Sequence, residues 1–513
     1  MQLSRLVQSW SSLRATRSRN EKKAVLAALL KEASSDEIGL AVSYLVGSLP
    51  RGKIGLGYAT VRKATDDLDE HVGGSLELEA VEASFGTIAE LRGPGSSGER
   101  LKQLRALLTR VSDAERNFLS RLIVGELRQG ASEGVMCDAI AAAAEIDAAS
   151  VRRAFMVSGN LAGVAAAALQ LGKDGLDDFE VELFVPLRPM LAQPADDVQA
   201  ALEELGEARF EYKIDGARIQ VHKRGSEVRV YSRAMNEVTS SVPEVVELAH
   251  TLPADSLILD GEAIAMRRDG RPHPFQTTMR RFGRRRDVAA LREELPLSVF
   301  LFDLLYLDGT PLIDDPLRVR IDKLSSLSPE ACLPPAYVTN DIELAEAHWQ
   351  RALDQGHEGL MAKSLESPYE AGNRGSQWLK LKPAHTLDLV VIAAEWGSGR
   401  RKGWLSNLHL AAHDPEHESF VMLGKTFKGL TDELLEWQTR ELLARETERD
   451  EYVVHVRPEL VVEVAFNNVQ QSPRYPGGLA LRFARVKRYR PDKTPQQADV
   501  IATVRETFDR SRA

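Results

Sequence analysis

The stretch Glu211-Tyr-Lys-Ile-Asp-Gly-Ala-Arg218 decides how the rest of this 513-residue chain reads. Phe210, Tyr212 and Ile214 alternate with polar residues, the period of a half-buried strand, so Lys213 and Asp215 point the same way. An amine attacks an electrophile only as the neutral base, and a lysine with its ordinary pKa is neutral in roughly one molecule in a thousand at physiological pH. Reactive lysines therefore sit where neighbouring cations, a bound metal or a dry pocket lower that pKa. Alone, Lys-x-Asp-Gly-x-Arg arises by chance in roughly one chain of this length in a hundred, and an exposed strand lysine paired with Asp215 is the simpler account. The remainder of the chain decides between the two.

A hydrophobic fraction of 43% is ordinary for soluble globular proteins, and the length suits about three domains. There is no long apolar run, and Met1 to Arg19 mixes Arg5, Arg14, Arg17 and Arg19 with serines, which predicts a cytoplasmic protein with no membrane role, nucleoid-associated if bacterial. Cys137 and Cys332 stand far apart and support neither a disulfide framework nor a cysteine zinc site. The net charge of −9 argues against nucleic acid only if basic residues are evenly spread. They are gathered at Arg280 to Arg286 and again at Arg482 to Lys493; such runs are solvated faces or phosphate-binding surfaces.

From the N-terminus to about residue 185 the pattern is helical. Leu26 to Ala33, Glu37 to Val46 and Phe118 to Leu127 carry apolar residues at three- and four-residue steps, with Ser35 or Asp36 as a cap and Ser112 to Glu115 as a capping box. Arg92 to Gly98 is a glycine-rich connection, and Pro186, Pro189 and Pro194 exclude a continuing helix, so a linker and a domain boundary fall near 185 to 195. Short antiparallel strands follow at Ala208 to Lys213, Arg218 to Lys223, Glu227 to Arg233, Leu257 to Met266, Leu297 to Leu307, Glu358 to Ser364 and Trp378 to Lys382. Helices at Val242 to Leu252, Val288 to Glu294 and Ile342 to Gln355 make this region mixed α+β. Strands at Leu389 to Glu395, Ser419 to Leu423 and Leu460 to Ala465 suit a small β-barrel with a terminal helix.

A nucleotidyl-transfer site needs a nucleophile, cations for phosphates, carboxylates for Mg²⁺ and ribose, and an aromatic face for a base. The strands supply all four in order. Lys213-x-Asp-Gly-x-Arg218, Ser232-Arg233, Asp260-Gly-Glu262, Phe302-Asp303, Glu358-Gly-Leu-Met-Ala-Lys363, Trp378-Leu-Lys-Leu-Lys382 and Arg482 to Lys493 resemble the serial motifs of ATP-dependent DNA ligases. Phe118 to Gly130 and the Pro186 linker resemble the DNA-binding domain and interdomain stretch of ligase I-type enzymes, so the resemblance covers most of the chain.

The resemblance implies a multidomain α and β protein: an all-α DNA-binding domain (1–190), an α+β antiparallel nucleotidyltransferase domain (191–385) and a C-terminal OB-fold β-barrel with a helix (386–513). It implies ATP as AMP donor, Mg²⁺, and nicked double-stranded DNA as partner, encircled by a monomer in replication, repair or recombination, with a sliding clamp or repair proteins as further partners. It makes Lys213 the nucleophile, Glu211 an adenine contact, Phe302 the stacking face, and Arg218 and Glu262 contacts near the ribose. Arg233, Arg374 and Lys380 meet phosphate with Lys382 beside them; Asp492 and Lys493, assisted by Arg482, orient pyrophosphate. Glu262 and Glu358 are the metal candidates, directly or through water. Ala484 departs from the proline that many relatives carry after Arg482-Phe483. An RNA ligase or capping-type nucleotidyltransferase would share the lysine chemistry but not the helical N-terminus. An NAD-dependent ligase would carry four zinc-binding cysteines. A non-catalytic DNA-clamping protein would bind DNA without a covalent nucleotide.

Overall fold

Serine caps and apolar spacing generate helices from Leu3–Ala15 to Asp174–Asp177 in the computed structural model, which describes residues 1–66, 68, 75–283, 287–371, 376–383 and 385–510. The helix expected at Leu26 starts earlier, at Arg19, because Ser18 accepts the Glu21 N–H. The next is capped by Ser34 instead of Ser35 or Asp36. Glu37 stands three residues after Ser34 and accepts its N–H at 3.0 Å, closing a capping box one residue upstream of the expected cap. The Ser112–Glu115 box forms as read, while its helix, Asp113–Ile123, ends before Leu127 at Gly125, whose φ of 73° is left-handed. Leu6, Trp10, Leu29, Phe85, Phe118 and Val151 fill the core of this region.

No helix or strand spans residues 178–192. This proline-containing strap nonetheless lies bonded on two sides. Arg188 N–H donates to Met156 O of the helix Ala148–Ser158 at 2.9 Å. Gln220 pairs with both backbone groups of Leu187 (2.8 and 3.2 Å), His222 Nδ1 accepts the Phe184 N–H at 2.9 Å, and the Tyr231 hydroxyl donates to Phe184 O at 2.8 Å.

Among the described residues the middle region holds ten strands: β1 (Gln193–Ala195), β2 (Ala208–Tyr212), β3 (Ala217–Arg224), β4 (Glu227–Ser232), β5 (Ser256–Ala265), β6 (Leu297–Leu307), β7 (Thr310–Pro311), β8 (Ala336–Thr339), β9 (Leu360–Ser364) and β10 (Trp378–Leu381). They form two sheets of order β1-β10-β9-β2-β8 and β4-β3-β5-β6-β7, antiparallel except for β1 beside β10. Phe210 and Tyr212 of β2, Leu360 and Ala362 of β9, and Leu379 and Leu381 of β10 share one apolar cluster, so the intervening residues face the other way. In the second sheet Ile219, Val221, Leu257, Leu259 and Leu301 do the same, leaving Arg218, Asp260 and Glu262 opposite. Asp260-Gly-Glu262 lies within β5 and makes no turn. A last cluster joins Met156 and Val157 of the helical region, Leu187 and Met190 of the strap, and Ile258, Leu305, Tyr369 and Trp378 of the middle region.

Among the described residues the C-terminal region holds a two-stranded sheet, Asn468–Gln471 with Leu479–Arg482, and a seven-stranded antiparallel sheet whose longest strand, His385–Trp396, pairs on its two sides with Leu405–Asp414 and with Val453–Val456 and Val461–Phe466. The terminal helix Ile501–Arg510 packs Ile501 and Val504 into its core. Among the described residues no helix is long and apolar enough to cross a membrane. The basic run at Arg280 is not a continuous surface: Arg280 is exposed, but Arg281 is buried, forked onto Glu244 (2.9 Å to each oxygen) and Ser241 O, while Arg284 to Arg286 lie outside the described residues.

Burial alone pushes the His222 imidazole down to about 3. The unfolded chain takes up this proton below about pH 6.5, and the folded chain refuses it until about 3, so stability falls as pH drops across that window by about 1.4 kcal/mol per unit. His222→Gln, which has no proton to gain, is expected to lose less stability than the parent in urea titrations at about pH 7 and about pH 5. Equal losses would show that His222 is not held neutral.

Candidate active site

The period-two alternation of β2, β9 and β10 brings Glu211, Lys363 and Trp378 to one face. Lys363 is about 1% exposed, and burial lowers its pKa against the opposing pull of Glu211. Its ammonium pairs with the Glu211 carboxylate and donates to Phe302 O at 3.4 Å across the gap between the sheets. It also lies 4.6 Å from the Phe302 ring centroid and 4.2 Å from that of Trp378, whose planes meet edge to face. Arg209 braces Glu211 from the other side at 3.3 Å. The result is an aromatic wall with a fixed carboxylate beside it, the equipment for holding a flat heterocycle.

Lys213 lies one residue past β2. Its N–H donates to Gly359 O at 2.9 Å, and its ammonium meets Glu358 at 2.6 Å. Lys382, one residue past β10, pairs with the other Glu358 oxygen. The three segments approach this closely because position 359 is glycine: φ is 139°, and a Cβ would stand 2.1 Å from Leu381 O. Gly216 does the same for the turn after Lys213, where a Cβ would lie 2.5 Å from Ala263 O, and so Asp215 is carried up against β5 and Glu262.

The electrostatics differ from the sequence-based expectation that the lysine's surroundings depress its pKa. Burial does pull Lys213 down, but Glu358, with Glu262 and Asp215 behind it, outweighs burial and leaves the pKa raised. Burial lifts Glu358 too, and Lys213 and Lys382 more than offset that, holding it below the usual carboxylate range. Glu262 has less compensation: burial pushes it up to about 8, against Lys213 and Arg218. Burial also raises Asp215, with Glu358 adding to it and Lys213, Lys382 and Arg482 opposing. Three carboxylates around two ammonium groups make a site in want of further positive charge.

The other expected residues are placed differently from one another. Arg218 pairs across strands with Glu262, but its guanidinium is forked onto Asp260 (3.0 and 2.6 Å), with its carbon 5.5 Å from the Phe302 centroid. Arg233 is exposed at the end of β4, one residue beyond the Ile219–Ser232 pair, and Lys380 lies in β10 opposite Met361. Arg482 stacks 5.0 Å over Phe275 of the middle region, which brings it toward Asp215. Asp492 and Lys493 are not gathered to the lysine: Asp492 is held by Arg490 (2.7 Å), and Lys493 donates to Asp388 (2.5 Å). Arg374 lies outside the described residues. Phe483 makes the turn after Arg482 with a φ of 57°, and the Ala484 carbonyl accepts from Thr426 at 2.6 Å.

Lys363 and Trp378 carry no role among the sequence-based expectations, although a lysine inside Leu-Met-Ala-Lys-Ser on a two-sided strand signals a buried cation with a partner. Asp303 faces away from the wall: its carboxylate clamps the fully buried Arg320 at 2.7 and 3.0 Å.

Comparison with known proteins matches the signature described as DNA ligase N terminus to residues 68–141, ATP dependent DNA ligase domain to 189–382, and ATP dependent DNA ligase C terminal region to 401–493. A protein named "Probable DNA ligase" from Anaeromyxobacter sp. (strain Fw109-5) is 56% identical over 514 residues, covering 100% of this chain and 99% of that one. This chain belongs to the ATP-dependent DNA ligase family. Another relative of that name, from Saccharopolyspora erythraea, is 51% identical over 100% of this chain and 99% of its own. The solved structure titled "Pmar-Lig_Pre." shares the fold at a TM-score of 0.64 over 95% of this chain and 99% of its own, with 18% identity. The protein is thus an ATP-dependent DNA ligase, of a family that seals nicks in DNA, with a helical N-terminal region, a nucleotidyltransferase-like domain and a β-rich C-terminal domain.

In this ligase, Gly359→Ala would place a side chain against Leu381 O at a left-handed φ. The backbone strain alone costs about 1–3 kcal/mol. The expected result is a lower urea midpoint together with loss of nick sealing; an unchanged midpoint would mean that the three segments do not need their close approach.

Proposed function

We propose that Lys213 is the nucleophile that takes AMP from ATP, within an adenylation domain of residues 191–385 flanked by a DNA-binding domain (1–190) and an OB-fold domain (386–513). Its Nζ bonds to the α-phosphorus as the bond to the bridging oxygen breaks and pyrophosphate leaves, giving lysyl-AMP. The 5′-phosphate at a nick then displaces the lysine to form a DNA-adenylate, and the 3′-hydroxyl displaces AMP to close the phosphodiester. Glu211 contacts the adenine, which stacks on Phe302. Arg218 and Glu262 sit at the ribose, Arg233, Arg374, Lys380 and Lys382 serve phosphates, and Arg482, Asp492 and Lys493 serve the pyrophosphate.

The observation that carries this reading is the lysine held by Glu358 at 2.6 Å beside a wall of Phe302, Trp378 and Glu211. In the free enzyme Lys213 is an ammonium fixed in place, and it becomes a nucleophile when the hold of Glu358 on its proton weakens. Lys382 already competes for that carboxylate. Asp215, Glu262 and Glu358 offer the hard oxygen donors that Mg²⁺ takes, and the high pKa of Glu262 marks a shortage of positive charge that such an ion would relieve. Bound there, Mg²⁺ would neutralise phosphate charge. The enzyme acts as a cytoplasmic monomer that encircles the duplex, because backbone contacts from separate domains bind a nick without reading sequence.

Incubation with α-labelled ATP and Mg²⁺ without DNA, followed by denaturing electrophoresis, is expected to leave label on the parent enzyme, released by nicked duplex. Lys213→Ala takes none. Lys213→Arg keeps the charge and the Glu358 partner but does not shed its proton, so it is expected to fold normally and remain unlabelled. Label persisting on both variants would sink the assignment.

A further inference from the structure

We propose that Tyr369 is a positioning residue that couples the interdomain strap to the nucleotide wall. This extends the reading of Lys213 as the site of adenylylation. Tyr369 is about 1% exposed, and its hydroxyl is a three-way junction. It donates to Asp260 Oδ2 at 2.7 Å, accepts the Met190 N–H of the strap at 3.1 Å, and accepts from Arg218 Nη2 at 3.3 Å. Arg218 closes the circuit by donating to Met190 O at 2.7 Å while it grips Asp260. Both backbone groups of one strap residue are thus bonded, the N–H to Tyr369 and the carbonyl to Arg218, whose guanidinium lies beside Phe302 and Trp378.

Both ends of this circuit are anchored. The loop carrying Tyr369 is held by Arg320, which donates to Ser367 O at 3.0 Å and is itself clamped by Asp303, next to the wall residue Phe302. Tyr369 N–H donates to Ile313 O at 2.7 Å, and its ring packs at 6.0 Å from Trp378. At the other end, Arg188 N–H bonds Met156 O of the helical domain, two residues before Met190. A shift of Arg218 on nucleotide binding therefore cannot leave the strap unchanged, since the same guanidinium and the same hydroxyl hold both. Filling the pocket tightens the strap and so biases how the helical DNA-binding domain is held.

Two measurements on the full chain test this. Hydrogen–deuterium exchange of peptides spanning 183–195 is compared before and after self-adenylylation with ATP and Mg²⁺; exchange in the parent is expected to slow about threefold or more on adenylylation. In Tyr369→Phe, which keeps the ring and removes the junction, that slowing is expected to vanish. The KM for ATP in self-adenylylation rises about tenfold while kcat stays within about twofold, the size of effect expected for losing one buried hydrogen bond to a charged partner. A variant with lowered melting temperature but unchanged KM and intact slowing would show that Tyr369 only supports the fold, and overturns the proposal. Should the variant fail to fold, the parent decides alone: normal labelling with unchanged strap exchange overturns the coupling and spares the assignment of Lys213, whereas a parent that takes no label overturns both.

Discussion

Two ammonium groups at this ligase's candidate site, Lys363 and Lys213, are withdrawn from water, and each finds a carboxylate. Lys363 is almost wholly buried and Lys213 about one-fifth exposed, and leaving either unpaired costs several kcal/mol. The carboxylates that answer them, Glu211 and Glu358, lie on neighbouring strands or at their ends, so each pair fixes how β2 and β9 align, and Lys382 on Glu358 ties in β10. A slip of one residue in β9 would turn Lys363 into the apolar cluster of Phe210 and Leu379 and bring Ala362 to the site. The aromatic wall and the Lys213–Glu358 pair are thus products of one register. Because Lys363 also reaches Phe302 O on β6, that register orients the second sheet against the first.

What could be read in the sequence follows from the same alternation. Chemistry placed on strands repeats every second residue, so Glu211 and Lys213, or Trp378, Lys380 and Lys382, announce a shared face by their spacing alone. The apolar stripes of the helical domain are equally local, and the expected boundaries shift where Ser18 and Ser34 cap helices earlier and where Gly125 ends one sooner. What resisted reading is what depends on distant partners. Arg281 sits in a run of arginines and looks like a phosphate contact, yet Glu244 lies on another helix and draws it inside. Asp303 stands beside the wall residue Phe302, but the bulged register of β6 against β5 turns it toward Arg320. Tyr369 lies in a loop with no periodicity at all. The sign of the Lys213 pKa shift is also non-local, because it depends on Glu358 arriving at 2.6 Å through the fold of Gly359.

The C-terminal domain meets the rest of the enzyme through a different class of interaction. Gln276 donates to Gln470 at 3.3 Å, Arg482 stacks on Phe275, and Arg17 of the helical domain pairs with Asp432, which Arg400 also holds at 3.0 Å. Asp432 and both arginines are exposed by 40% or more, the setting in which ion pairs contribute little and are screened by salt. The strap, by contrast, joins the helical and middle domains through the buried cluster of Met156, Leu187, Met190 and Trp378. One seam is therefore stiff and the other weak. The same reasoning accounts for Asp492 and Lys493 standing away from Lys213: their partners Arg490 and Asp388 belong to their own domain. A polar, exposed seam opposite a packed one lets the C-terminal domain shift while the buried strap and the aromatic wall of Phe302 and Trp378 keep their places.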